Sequence, residues 1–119
     1  MKSLQIAAIR HMPWLEDRHT LSDGRVGIRL TSAVTEFDAV TLRHADNYAE
    51  GEPFARATDT PMTRMWRDEN SEVWQAVFTP HDPRIVYAFI LQAGDVTLLH
   101  DADGTRAVPE NPAWVSGFH

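Results

Sequence analysis

No cysteine occurs in the 119 residues, so neither a disulfide framework nor thiol chemistry is open to the chain. That absence suits a reducing compartment, and a cytoplasmic protein is the expectation. Lysine is almost missing too: Lys2 is the only one, and scattered arginines supply nearly all the positive charge. The formal net charge of −6 opposes nucleic acid and anionic lipid as partners. No apolar run approaches the roughly 20 residues that a membrane-spanning helix requires. The N-terminus lacks a signal-peptide pattern, because Met1-Lys2-Ser3 leads only into a short stretch, Leu4 to Ile9, broken by Gln5. Internal repeats, low-complexity tracts and linkers are absent, and no segment carries a convincing helical period. The length is that of one domain, residues 1–119, large enough to bury a core without staples.

What is present is a series of strand patterns. Val26, Ile28 and Leu30 alternate with Gly27, Arg29 and Thr31, a period of two that gives one buried and one wet face. Phe37, Val40 and Leu42 repeat it. Met62 to Arg67 and Val73 to Thr79 flank Asp68-Glu69-Asn70-Ser71, the arrangement of a hairpin. Arg84 to Gln92 is longer. Ile85, Tyr87, Phe89 and Leu91 fill one face, and Val86, Ala88 and Ile90 make the other apolar as well, so this strand belongs at the centre of a sheet or at an interface. Ala93-Gly94-Asp95 turns it into Val96 to His100, Asp101-Ala102-Asp103-Gly104 makes another turn, and Ala113 to Phe118 reads as a last strand. Glu50 to Pro61 reads as the one long irregular stretch. Short strands with turns at regular spacing predict an all-β sandwich, with no helix longer than about two turns.

Self-contained chemistry is hard to find. The histidines at 11, 19, 44, 81, 100 and 119 share no recognised ligand spacing, so no metal site is expected. Asp101-Ala102-Asp103-Gly104 looks like the start of a calcium loop, but the third acidic position and the distal glutamate are missing, and Asp and Gly are ordinary turn residues. Glycoside hydrolysis needs two carboxyl groups flanking the scissile bond, and nothing singles out a pair such as Glu50 and Glu52. A Gly-x-Ser-x-Gly elbow, a phosphate loop and a His-Glu-x-x-His helix are all lacking. Neither an enzyme activity of its own nor a cofactor is expected. Aromatic residues are more informative. Trp14, Trp66, Trp74 and Trp114 are many for a small domain. Each can fill core or, if exposed, offer a flat ring to the C–H face of a sugar. Trp74 lies in a strand and reads as core. Tyr48, in a polar loop after a strand, reads as a functional ring.

Three segments carry a resemblance. Val40-Thr41-Leu42-Arg43-His44-Ala45-Asp46-Asn47-Tyr48 resembles the strand-to-loop segment of carbohydrate-binding module family 34. Met62, Asp68-Glu69 and Val73-Trp74-Gln75-Ala76 are similar to that family's second hairpin, with Val73 in place of its usual Tyr. Arg84-Ile85-Val86-Tyr87-Ala88-Phe89-Ile90-Leu91 resembles its central strand. The resemblance runs over residues 5–119 and implies an immunoglobulin-like antiparallel β-sandwich at the N-terminus of glycoside hydrolase family 13 enzymes similar to cyclomaltodextrinase, neopullulanase and maltogenic amylase. It implies a non-catalytic domain serving dimer assembly, cleft shaping and starch or maltodextrin binding. The partners implied are an α-glucan or cyclodextrin, the catalytic barrel of the same enzyme, and a second copy in a full-length homodimer. His44, Asp46, Tyr48 and Glu50 are then the carbohydrate-binding or partner-cleft residues. Glu50 stands where some members carry a Trp. The alternative is a free-standing immunoglobulin-like protein-interaction domain with no role in sugar chemistry, which the fold alone permits.

Overall fold

The computed structural model describes residues 6–12, 17–46, 54, 57–81, 84–111 and 115–119, and of Asp46 the backbone alone. Within them the chain forms nine strands and a single 3-10 turn, Ile6–Ala8. In one antiparallel sheet β1 (Arg18–Thr20), β2 (Val26–Ala33), β6 (Ser71–Phe78) and β5 (Thr63–Arg67) lie side by side in that order. The other has the order β4 (Thr58–Pro61), β3 (Ala39–Asp46), β7 (Ile85–Ala93), β8 (Val96–Asp101), β9 (Gly104–Ala107). The two-layer antiparallel sandwich expected from the period-two patterns is therefore present, in the immunoglobulin-like form that the resemblance implied.

Register explains the layers. Across β2 and β6, Val26, Ile28, Leu30 and Ser32 face Phe78, Ala76, Trp74 and Glu72, and this row points inward. Opposite them, Val40 and Leu42 of β3 and Tyr87, Phe89 and Leu91 of β7 complete the core, with Phe37 closing one end. Ile28, Leu30, Leu42 and Phe89 are wholly buried, each worth about 2 kcal/mol against exposure to water.

β7 is the middle strand of its sheet, as its two apolar faces require. Ile85, Tyr87, Phe89 and Leu91 meet the other sheet, and Val86 and Ala88 on the outer face are buried as well. The outer cover near Val86 includes Gly117 and Phe54: a Cβ built on Gly117 would overlap the Val86 methyl and the Phe54 ring. Glycine is needed there for close approach. Both expected hairpins form. Ala93 pairs with Val96 around Gly94, whose φ of 57° is the left-handed conformation such a turn demands.

The sequence reading departs from the fold in three places. Thr58–Pro61 lies in the stretch read as irregular, yet it is the edge strand β4, paired from Thr41 to His44 of β3. Its proline is tolerated because an edge strand has one side free of the ladder. The short strands β1 and β9 went unread because three or four half-exposed residues carry no hydrophobic period. The last strand expected over Ala113 to Phe118 shrinks, within its described part, to one bridge between Phe118 and Tyr87.

Candidate functional site

Two of the expected site residues, His44 and Asp46, lie at the end of β3. Asp46 is the last residue of the strand and lies across from Ile85. Tyr48 and Glu50 lie outside the described residues, as do Trp14 and Trp114. His44 is half-buried and points between the sheets. Its Nε2 lies 2.9 Å from Thr60 Oγ1, and its ring stacks on Phe78 at 4.0 Å. Burial holds its pKa below the ordinary histidine range, against the pull of Asp59. His44 thus joins the two sheets at this end of the sandwich. Next to it, on the outer face, Arg43 grips Asp59 across the β3–β4 pair through two hydrogen bonds, at 2.8 and 2.9 Å. These contacts tie the end of β3 to β4 and to β6.

A second feature is the outer face of the four-stranded sheet. Arg64 pairs with Trp74, whereas Trp66 pairs with Val73. One extra residue, Met65, has entered β5 as a bulge. The bulge shifts the alternation, so Arg64 faces inward and Trp66 outward. Trp66 is 58% exposed and Met65 51%. Thr31 and Val73 share the row of Trp66 across this face, and the neighbouring row holds Arg29, Gln75 and Thr63. Arg29 Nε donates to Gln75 Oε1 at 2.9 Å. A flat apolar ring beside a row of donors and acceptors is the chemistry that suits a sugar. Trp74, one residue away in register, has the opposite fate: it is 3% exposed, its Nε1 donates to Ser32 Oγ at 3.1 Å, and Arg64 covers its ring at 4.7 Å. The sequence reading recovered Trp74 as core. It did not single out Trp66, because a bulge leaves no mark in a hydrophobic pattern.

The third feature is a cleft of about 490 Å³ along the side of the sandwich, lined mainly by Ile9, His11, Met12, His100, Asp101 and Phe118. His11 is buried beside it. Its Nδ1 lies 2.7 Å from the Arg29 carbonyl and its Nε2 2.7 Å from Tyr87 Oη. A carbonyl can only accept, so Nδ1 carries the proton and Nε2 accepts from the tyrosine hydroxyl. This makes the neutral imidazole the fitted form. Burial pushes the Tyr87 phenol up to about 12 against the pull of Arg18. The one carboxylate among the cleft's described lining residues is already committed. Asp101 takes two hydrogen bonds from Arg106, at 2.8 and 2.9 Å, and one each from the Asp103 and Ser116 amides. Burial opposes its charge, but the guanidinium and the amides together outweigh that and hold its carboxyl below the usual range. Asp101-Ala102-Asp103-Gly104 is therefore a hairpin turn tied to the C-terminal segment. Among the described residues no group of three or more acids and histidines could hold a metal ion.

Comparisons agree with this architecture. The family model for the alpha amylase N-terminal ig-like domain matches residues 4–118. No curated protein matches the chain in sequence. Among solved structures, a cyclomaltodextrinase superposes over 95% of this chain with a TM-score of 0.80 and 23% identity. A maltogenic amylase from S. marinus covers 99% of it, with a TM-score of 0.65 and 17% identity. The type III pullulan hydrolase from Thermococcus kodakarensis covers 93%, with 0.56 and 18%. At these identities the likeness is one of fold. The chain spans 19%, 16% and 16% of those three proteins, respectively.

Proposed function

The chain belongs to the family of alpha amylase N-terminal immunoglobulin-like domains, and from that membership we propose a non-catalytic accessory role in an α-glucan hydrolase. The observation that carries the non-catalytic part is the state of the cleft. Its only carboxylate among the described lining residues, Asp101, is bound by Arg106 and two amides, whereas glycoside cleavage needs two carboxyl groups placed on either side of the bond. The domain accompanies a catalytic barrel and shapes access to it. Tyr48, two residues after Asp46 in the sequence, narrows the cleft of a second copy in a homodimer and favours short or cyclic glucans over long chains by steric exclusion. Trp66 and the Arg29–Gln75 row add a shallow α-glucan contact of the domain's own. A cytoplasmic location suits a chain free of cysteine.

The test has two arms. Titration of the 119-residue chain with maltodextrin and cyclodextrin, followed by calorimetry, should show weak binding that Trp66→Ala removes. In the longer enzyme, Tyr48→Ala should change the ratio of cyclodextrin to starch hydrolysis while leaving the thermal midpoint of the fragment unmoved. If neither variant changes sugar binding or substrate preference, or if the gene encodes no barrel after His119, the free-standing interaction domain becomes the better reading.

A further inference from the structure

The C-terminal segment is fastened to the sandwich by three kinds of contact. Its backbone pairs with β7: Tyr87 N donates to the Phe118 carbonyl at 3.0 Å and Phe118 N to the Tyr87 carbonyl at 2.8 Å. The Phe118 ring sits in a box of four rings, with centroids 4.8 Å from His11, 5.5 Å from Tyr87, 5.7 Å from His100 and 5.9 Å from Phe89. At the other end, the Asp101 carboxylate accepts from the Ser116 amide at 2.9 Å, and Ala102 N donates to the Ser116 carbonyl at 2.8 Å.

Two walls of the ring box are imidazoles, and burial disfavours the charged form of both. His11 spends Nδ1 on the Arg29 carbonyl and Nε2 on the Tyr87 hydroxyl, so a second proton on Nε2 would make the hydroxyl turn its hydrogen away and accept instead. His100 reaches Thr105 Oγ1 at 2.8 Å through Nδ1 and turns its ring toward Phe89 and Phe118. The charged groups nearby do not rescue an imidazolium. Asp17 favours it at His11, but Arg18 on β1 opposes it. Asp101 on β8 favours it at His100, but His11 opposes it, and Arg106 on β9 is spent on Asp101.

We propose that residues 117–119 form an acid-released clasp: protonation of His11 and His100 expels the Phe118 ring and frees the segment from β7, while the two sheets stay paired. Ser116 remains the hinge, because Asp101 keeps its charge to lower pH than the histidines keep their neutrality. Burial lowers the pKa of both histidines, that of His100 to about 4. Once Phe118 has left, water reaches the imidazoles and they protonate near their ordinary 6.5. The released form therefore binds more protons than the closed form between those values, and the clasp weakens as pH falls through that window. Release enlarges the side cleft and bares the pairing edge of Tyr87. The inference stands on this geometry and not on the family reading.

Amide hydrogen exchange on the 119-residue chain tests it, with rates corrected for the intrinsic effect of pH. Between about pH 7 and about pH 5, protection at Phe118 should fall about tenfold or more and stay well below that of Leu42 and Phe89, whose amides exchange only when the sheets themselves open. His100→Gln keeps a polar partner for Thr105 and cannot titrate, so it should flatten the dependence. In Phe118→Ala, the His100 imidazole should titrate near the ordinary histidine value by NMR. Unchanged protection at Phe118, protection at Phe118 as high as that at Phe89 at both pH values, an undiminished pH dependence in His100→Gln, or a His100 titration that Phe118→Ala does not move would each overturn the clasp.

Discussion

Tyr87 is the residue on which most of the interior converges. It donates to His11, takes the Phe118 bridge on its backbone and receives Arg18 5.8 Å from its ring centre. Tyr87→Phe keeps the ring and removes the hydroxyl, leaving His11 Nε2 buried without a donor. A loss of about 1–2 kcal/mol is expected in urea unfolding. The two described tryptophans make a sharper pair. Trp74→Ala should cost about 3–5 kcal/mol, since it empties a packed site and removes the donor to Ser32 Oγ. Trp66→Ala should stay within about 0.5 kcal/mol of the parent chain, as exposed side chains generally do. Equal losses in the two variants would mean that the bulge does not turn Trp66 outward. Trp74 could be read from its place in an alternating strand. Trp66 could not, because the register shift at Met65 depends on β6 and has no trace in local sequence. The same holds for His44. Its sequence neighbourhood is that of a loop edge, yet its ring is stacked between the sheets, a partnership decided by Phe78 from 34 residues away along the chain.

At the level of elements, the long strands announced themselves and the short ones did not. β2, β3, β6 and β7 hold eight, eight, eight and nine residues, enough for a period of two to show. β1, β4 and β9 hold three or four and take their conformation from the neighbour they pair with. β7 also shows why a strand can be apolar on both faces: its second cover comes partly from the far end of the chain, through Gly117. Gly117→Ala should therefore cost about 1–3 kcal/mol by overpacking against Val86 and Phe54. Its protection loss at Phe118 should be present at neutral pH already. Equal stability of the variant and the parent in urea would show that the segment yields without strain.

For the whole molecule, acid should act in two stages. His11, His44 and His100 are all held below the ordinary histidine range by burial. Their contribution is complete above about 6.5 and is lost as pH falls toward their depressed values. Asp59 and Asp101 are held below the ordinary carboxylate range, Asp59 chiefly by its bond to Arg43. Their contribution is complete above about 4 and is lost only below it. Thermal midpoints should therefore be level near neutrality, decline from about pH 6.5 to about pH 4, and decline again beneath that. A midpoint that peaks near pH 5 would contradict the neutral, buried placement of the histidines.

The sheet edges carry one more consequence. Each sheet ends on its shortest strands: β1 and β5, of three and five residues, bound one sheet, and β4 and β9, of four residues each, bound the other. β5 is bulged and carries Arg64 and Arg67, and β4 ends in a proline. Such borders are poor templates for an incoming chain, because a growing fibre needs a long, flat, uncharged row of free backbone groups. Copies of this sandwich are thereby steered away from zipping edge to edge along these strands.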